Sequence, residues 1–210
     1  MRPQRRFFTL KVVGLALLAL AATAEARADL RGITALGADL PMPGGTFDEV
    51  KALKLESNQR LICDSDADKP KLAEPRLLEL RHGRSGLHVR RCTVLAPGAN
   101  GAWELSPVPT LAGPTRLWLL FVEQGGGGRY RLAQISLWAK VDAWNKVAAK
   151  LSEALGPAMA FTDSFLNWED EQSETLMFVD RKRPGEFAVS VGDVRLRKLI
   201  RSPGPITRPE

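Results

Sequence analysis

Residues 117–157 read LWLLFVEQGGGGRYRLAQISLWAKVDAWNKVAAKLSEALGP, and this stretch decides the fold. Side chains alternate along an extended chain, so Leu117, Leu119 and Phe121 point to one side and Trp118, Leu120 and Val122 to the other. Both sides are apolar, which predicts an interior strand with something over each face of its sheet. Gly125, Gly126, Gly127 and Gly128 then let the chain reverse, because glycine reaches positive φ without a Cβ clash. A return strand is expected from about Arg129 to Trp138. Its apolar phase slips between Leu132 and Ile135, which predicts a bulge near Ala133 or Gln134. Val141, Trp144, Val147, Ala148, Leu151 and Leu155 follow at helical spacing as one apolar stripe. Gly156 and Pro157 stop that helix: glycine suits the left-handed position after the last turn, and proline cannot continue it.

Toward the N-terminus, Thr46-Phe47-Asp48-Glu49 reads as a capping box that opens a short helix carrying Phe47, Val50 and Leu53. Strands are expected at Arg60–Cys63, Arg76–Arg81 and Leu87–Leu95, with a turn at residues 81–86. Pro97–Pro114 is rich in Gly and Pro and reads as a connecting loop, anchored by Trp103 and Leu105. Beyond the long helix, strands are expected at Phe165–Trp168, Thr175–Asp180 and residues 187–192, the last two joined by the charged turn Arg181–Gly185. Val194, Leu196 and Leu199 extend the last strand or start a short final element.

The pattern predicts an α+β fold: a mostly antiparallel β-sheet with two main helices packed on one face. Residues 29–201 form a single domain, and residues 202–210 a disordered tail rich in proline. Segments 46–95 and 141–192 each read as a helix followed by three strands, so two topologically similar halves are expected. In the order of its elements the chain is similar to small bacterial envelope modules with helices on an antiparallel sheet, such as the outer-membrane-assembly lipoproteins and the β-lactamase-inhibitor-like domains. No motif accompanies that likeness, and no function is carried over from it.

The first residues belong to targeting rather than to the fold. Arg2, Arg5, Arg6 and Lys11 make a basic start, Val12–Ala22 is an apolar run, and Ala26-Arg27-Ala28 is a small-residue cleavage pattern. Residues 1–28 are therefore expected to be a cleaved signal peptide, with a periplasmic or secreted mature chain and no membrane span in it. Arg5-Arg6-Phe7-Phe8 resembles a twin-arginine signal, but Gln4 and Thr9 depart from that pattern, so ordinary secretion is the reading preferred. The whole chain of 210 residues has 30 basic and 24 acidic groups; residues 1–28 hold five of the bases and one acid, leaving 25 against 23. That balance argues against nucleic acid as a partner.

Cys63 and Cys92 are the two cysteines. In an oxidising compartment they are expected to form a disulfide; a reactive thiol pair is the alternative, without Cys-x-x-Cys spacing to favour it. Asp64, Asp66 and Asp68 alternate like half a calcium loop, but Lys69 and Pro75 stand where that loop needs glycine and glutamate. A solvated acidic turn is the plainer reading. His82, Ser85 and His88 form no recognisable catalytic or zinc set. No cofactor or metal is implied.

Two surfaces are candidates for binding. Arg84, His88, Arg90 and Arg91 crowd one hairpin and suit an anion or partner; the alternative is a charged hairpin that keeps a sheet edge from pairing. Trp118 and Leu120, on the strand face the helix does not take, suit a partner, and Trp168 beside Glu169, Asp170 and Glu171 is expected to line a groove. The remaining tryptophans are assigned to the core. The functional expectation is a non-enzymatic exported binding module for an envelope protein or an anionic envelope component, with dimerisation left open. The alternative is a small cell-envelope hydrolase or transferase whose site only the fold assembles.

Overall fold

The computed structural model describes residues 35–37, 40–79, 89–125 and 127–201. The signal peptide expected at 1–28, Arg84, His88 and the tail expected at 202–210 lie outside the described residues.

The long stretch folds as its pattern requires. Strand β5 (Gly113–Glu123) pairs with β6 (Tyr130–Lys140) through a turn in which Gly125, Gly127 and Gly128 all take positive φ. Leu120 lies opposite Gln134 and Phe121 opposite Leu132, so Ala133 is the extra residue of a bulge. The bulge turns both Leu132 and Ile135 to one face and leaves Gln134, Ser136 and Trp138 together on the other. A 3-10 turn at Val141–Ala143 leads into helix α2 (Trp144–Leu155), which ends at Gly156 with φ of 87°. The expected capping box opens helix α1 (Phe47–Lys51): Glu49 N–H donates to Thr46 Oγ1 at 3.2 Å, and Thr46 N–H donates to Glu49 Oε2 at 2.6 Å.

Around this unit lies a mostly antiparallel sheet. The remaining strands are β1 (Arg60–Cys63), β2 (Val89–Pro97), β3 (Trp103–Leu105), β4 (Val108–Thr110), β7 (Ala160–Thr162), β8 (Phe165–Glu169), β9 (Ser173–Val179) and β10 (Glu186–Asp193). The order is β1-β2-β5-β6-β10-β9-β8-β7, with β3 against β2 and β4 against β5. Strand β5 is thus interior, as its two apolar faces require. Cys63 and Cys92 stand directly opposite each other on β1 and β2 and are joined as a disulfide. Among the described residues no helix is long and apolar enough to cross a membrane.

The first face of the sheet carries the main core. Leu117, Leu119, Phe121, Ile135 and Leu137 meet Phe187 and Val189, under Val147 and Leu151 of α2 and Val50 of α1. The Phe47 ring stands edge-on to Phe121 and the Trp144 ring edge-on to Phe187. The described residues cover the second face only in part. Helix α3 (Val194–Arg201) sets Leu196 and Ile200 on Val122 and Ala133 at one end, while Leu77 and Leu78 pack on Ile62 and Leu95 at the other.

Two expectations need correction, and the alternative left open at 194–199 resolves to a short final element. Residues 75–78 form turns rather than part of a strand, because Leu77 and Leu78 serve as a plug on the second face instead of pairing with a neighbour. The presumed loop at 97–114 contains β3 and β4, whose pairing comes from β2 and β5 and is not visible in a Pro-rich pattern. The last apolar residues form a helix on the opposite face from α1 and α2, so both faces carry helices. Its start is held by Asp193 Oδ1, which accepts from Arg195 N–H at 2.8 Å and Leu196 N–H at 3.0 Å.

Candidate functional site

Between α3 and the plug at 72–79, the described residues leave a groove of about 580 Å³ on the second face. Its floor follows from the strand alternation and the bulge. Arg116 lies opposite Trp138, Trp118 opposite Ser136, and Leu120 opposite Gln134, three rows across β5 and β6. One wall is Arg91 of β2 with Glu74, Arg76 and Leu77; the other is Asp180, Lys182 and Arg183 of the β9–β10 turn. The lining carries five cationic side chains and two carboxylates, and Glu186 and Glu79 lie against three of the cations.

Each floor tryptophan has a guanidinium near it, one in close contact and one more distant. Arg91 stacks 3.9 Å from the Trp118 ring centre, and Arg183 lies 5.8 Å from that of Trp138. Arg91 Nη1 also donates to the Glu79 carbonyl at 3.1 Å, which ties the plug to the sheet. Arg116 pairs with Glu186, and Arg183 reaches the same carboxylate at 3.8 Å. Two guanidiniums share one carboxylate there. Within the floor, Gln134 Nε2 donates to Ser136 Oγ at 2.9 Å. Arg116 and Arg183 set guanidinium groups beside the apolar ring of Trp138, a combination suited to a hydrogen-bond acceptor next to an apolar group.

The sequence candidates fall in different places. Trp118 and Leu120 are half-buried in the groove floor. Arg90 and Arg91 are neighbours on β2 and therefore take opposite faces. Arg90 turns to the main core, with its guanidinium 3.8 Å from the Tyr130 ring centre and 4.9 Å from that of Phe47. It is part of the packing between α1 and β6 and does not share a surface with Arg91. Trp168 is not on a groove: it is 4% exposed on the core face, and its Nε1–H donates to the Gly156 carbonyl at 2.9 Å. Its acidic neighbours misled because they belong to the β8–β9 turn, where Asp170 accepts from Ser173 N–H at 2.6 Å. Sequence reasoning missed Arg116, Gln134, Ser136 and Trp138, and read Arg183 as part of a solvated charged turn. The available signal was that Arg116, Trp118 and Leu120 share one strand phase, out of step with Leu117 and Leu119.

The alternating aspartates make a turn rather than a metal loop. Asp64 Oδ1 accepts from Arg91 N–H at 3.1 Å and Asp66 Oδ2 from Cys63 N–H at 2.9 Å, while Lys69 Nζ donates to the Asp64 carbonyl. Among the described residues no group of three metal-ligating side chains occurs. Burial pushes the Asp64 carboxyl above its usual range, against the opposing pull of the Arg91 and Ser65 backbone N–H groups and of Lys69 and Arg90.

Comparison with known proteins returned no match to any family model, curated protein or solved structure.

Proposed function

We propose that this protein is an exported, non-enzymatic binding module for an envelope component, and that the groove on the second sheet face is its binding surface. The observation that supports this most is the pair of half-buried tryptophans, with guanidinium groups 3.9 and 5.8 Å from their ring centres, on a concave face that the described residues cover only at its ends. Tryptophan and arginine dominate the energetics of binding surfaces because they combine large contact area with directed hydrogen bonds. Export is supported by the basic start, the apolar run and the Ala-x-Ala pattern, and the disulfide is compatible with an oxidising compartment.

The test is capture from an envelope extract by the wild-type chain and by Arg116→Ser, Trp138→Ser and Phe161→Ser. Phe161 is 76% exposed on β7, far along the sheet from the groove. The groove substitutions are expected to abolish capture of a partner that Phe161→Ser retains. A partner held equally by all four chains would remove the groove from the account.

The strand order also supports two units of one plan, redrawn with four strands each in place of the expected three at 46–95 and 141–192. Helix α1 precedes β1, β2, β5 and β6 in that order, α2 precedes β7, β8, β9 and β10, and the two sets meet where β6 pairs with β10. Native-state hydrogen exchange should then show two cooperative blocks divided at that seam; one block spanning both would contradict it.

A further inference from the structure

The groove also indicates what kind of ligand fits it. We propose that it takes a neutral oligosaccharide, a short run of an uncharged envelope glycan, with a sugar ring against Trp138 and hydroxyls on Gln134, Ser136 and Ser190. This rests on the reading that the groove is the binding surface.

The lining disfavours other ligand classes. Its arginines already face oxygens: Arg116 and Arg183 share Glu186, Arg76 lies 3.9 Å from Glu79, and Arg91 donates to the Glu79 carbonyl. A polyanion would compete with those pairs. A sugar hydroxyl, donor and acceptor at once, settles beside a paired guanidinium and carboxylate without displacing either. The floor strands β5 and β6 are interior, each paired on both sides, so they offer no free backbone edge to a peptide strand. An acyl chain laid over Gln134 and Ser136 would bury an amide and a hydroxyl against hydrocarbon, at a cost.

Two observations favour a sugar. Ser190 is 4% exposed, yet its Oγ has no hydrogen-bond partner among the described residues. It lies directly across β10 and β6 from Ser136 of the groove floor, and so on the same face. A buried hydroxyl without a partner is costly, and a ligand hydroxyl seated at Ser136 is placed to pair with it. Beside these groups stands the half-buried Trp138, with the Phe178 ring edge-on at 6.1 Å and the more exposed Arg183 at 5.8 Å. A sugar ring matches this set: a carbon–hydrogen face for the indole, and hydroxyls around its rim for the amide and the serines. The groove volume of about 580 Å³ falls within the range of about 300–1,000 Å³ usual for sites of compact ligands.

The experiment titrates the exported chain with tetramers of N-acetylglucosamine, glucose and galactose by calorimetry. Comparison probes are heparin, oligoglutamate and phosphatidylglycerol vesicles. At least one neutral tetramer is expected to bind, with an affinity that added salt leaves unchanged because no ligand charge is screened. Trp138→Ser should weaken it about tenfold or more, and Ser190→Ala and Gln134→Ala about threefold to tenfold each, the loss of one anchor or one hydrogen bond. Gln134→Ala gives a second reading should Trp138→Ser fail to fold. Ser190→Ala should also raise the melting temperature of the free chain by removing an unpaired buried hydroxyl; a purely structural role would give that gain without weaker binding. Binding of none of the three tetramers, binding that Ser190→Ala and Gln134→Ala leave unchanged, or tighter binding of heparin, oligoglutamate or vesicles would overturn the proposal. If capture from the extract depends on the groove while every neutral tetramer fails, the ligand class is wrong and the binding surface stands. If capture ignores the groove substitutions, the binding surface itself is wrong.

Discussion

Arg91 lays its guanidinium 3.9 Å from the centre of the Trp118 ring, and its Nη1 donates to the carbonyl of Glu79. One side chain thus joins β2, the groove floor on β5 and the plug that closes one end of the second face. Arg91→Ser should lower stability by about 0.5–2 kcal/mol through loss of the stack and the hydrogen bond. Arg91→Lys should recover little of this, because an ammonium has no planar face to lay on the ring. Urea unfolding followed by tryptophan emission measures both. A lysine variant as stable as the wild type would show that charge alone suffices.

The disulfide closes a long loop between Cys63 and Cys92, which are 29 residues apart. Replacing both with alanine should destabilise the chain by about 3–4 kcal/mol on the chain-entropy account. Urea midpoints of the variant and of the wild type, with and without reductant, check this. A variant equal to the oxidised wild type would mean that the core alone holds β1 on β2.

Asp64 introduces a pH dependence of known sign. Its folded carboxyl is raised by burial, so between its ordinary and its raised value the folded state binds more protons than the unfolded one. Stability from this group is therefore greatest at low pH and falls as pH rises through that window. Asp64→Asn keeps an oxygen to accept from Arg91 N–H and removes the buried charge. It should be more stable than wild type at neutral pH, with the difference vanishing in acid. A variant less stable at pH 7 would mean that attraction to Lys69 and Arg90 outweighs burial.

Gly192 is where α3 meets the sheet. A Cβ there would lie 2.3 Å from Arg197 Cδ and 3.1 Å from the Ala133 carbonyl oxygen, and Arg197 is the ion-pair partner of Glu174. Gly192→Ala should cost about 1–3 kcal/mol, with the loss centred on α3. Faster amide exchange in residues 194–201 than in α2 would show it. Uniform acceleration across the sheet would place the damage elsewhere.

Much of the local structure was legible because it depends on short-range rules. The phase slip between Leu132 and Ile135 marked the bulge at Ala133, the Thr46–Glu49 pair marked α1, and Gly156 marked the end of α2. The candidate site was legible only in part. Trp118 and Leu120 stood out as an apolar face without an evident cover, and they lie in the groove. The sequence places Trp138 in the core and Arg183 in an ordinary charged turn, because nothing within either segment says that the two meet. Trp168 was misplaced for the converse reason: its acidic neighbours suggested solvent, while the Gly156 carbonyl that holds it lies 12 residues away.

The sequence by itself determined the alternation on β5 and β6, the glycine turn, the helix stripe and its stop, and the pair of cysteines available for bonding. These are properties of periodicity, backbone freedom and composition, and they act within a few residues. The tertiary structure alone decided which parts of the second face stay open, that Arg90 joins the core while Arg91 joins the groove, and that Arg116 meets Glu186 across 70 residues of chain. Those outcomes depend on strand order, above all on β6 lying beside β10, which no local pattern specifies because side chains far apart in sequence become neighbours only when the sheet closes its register.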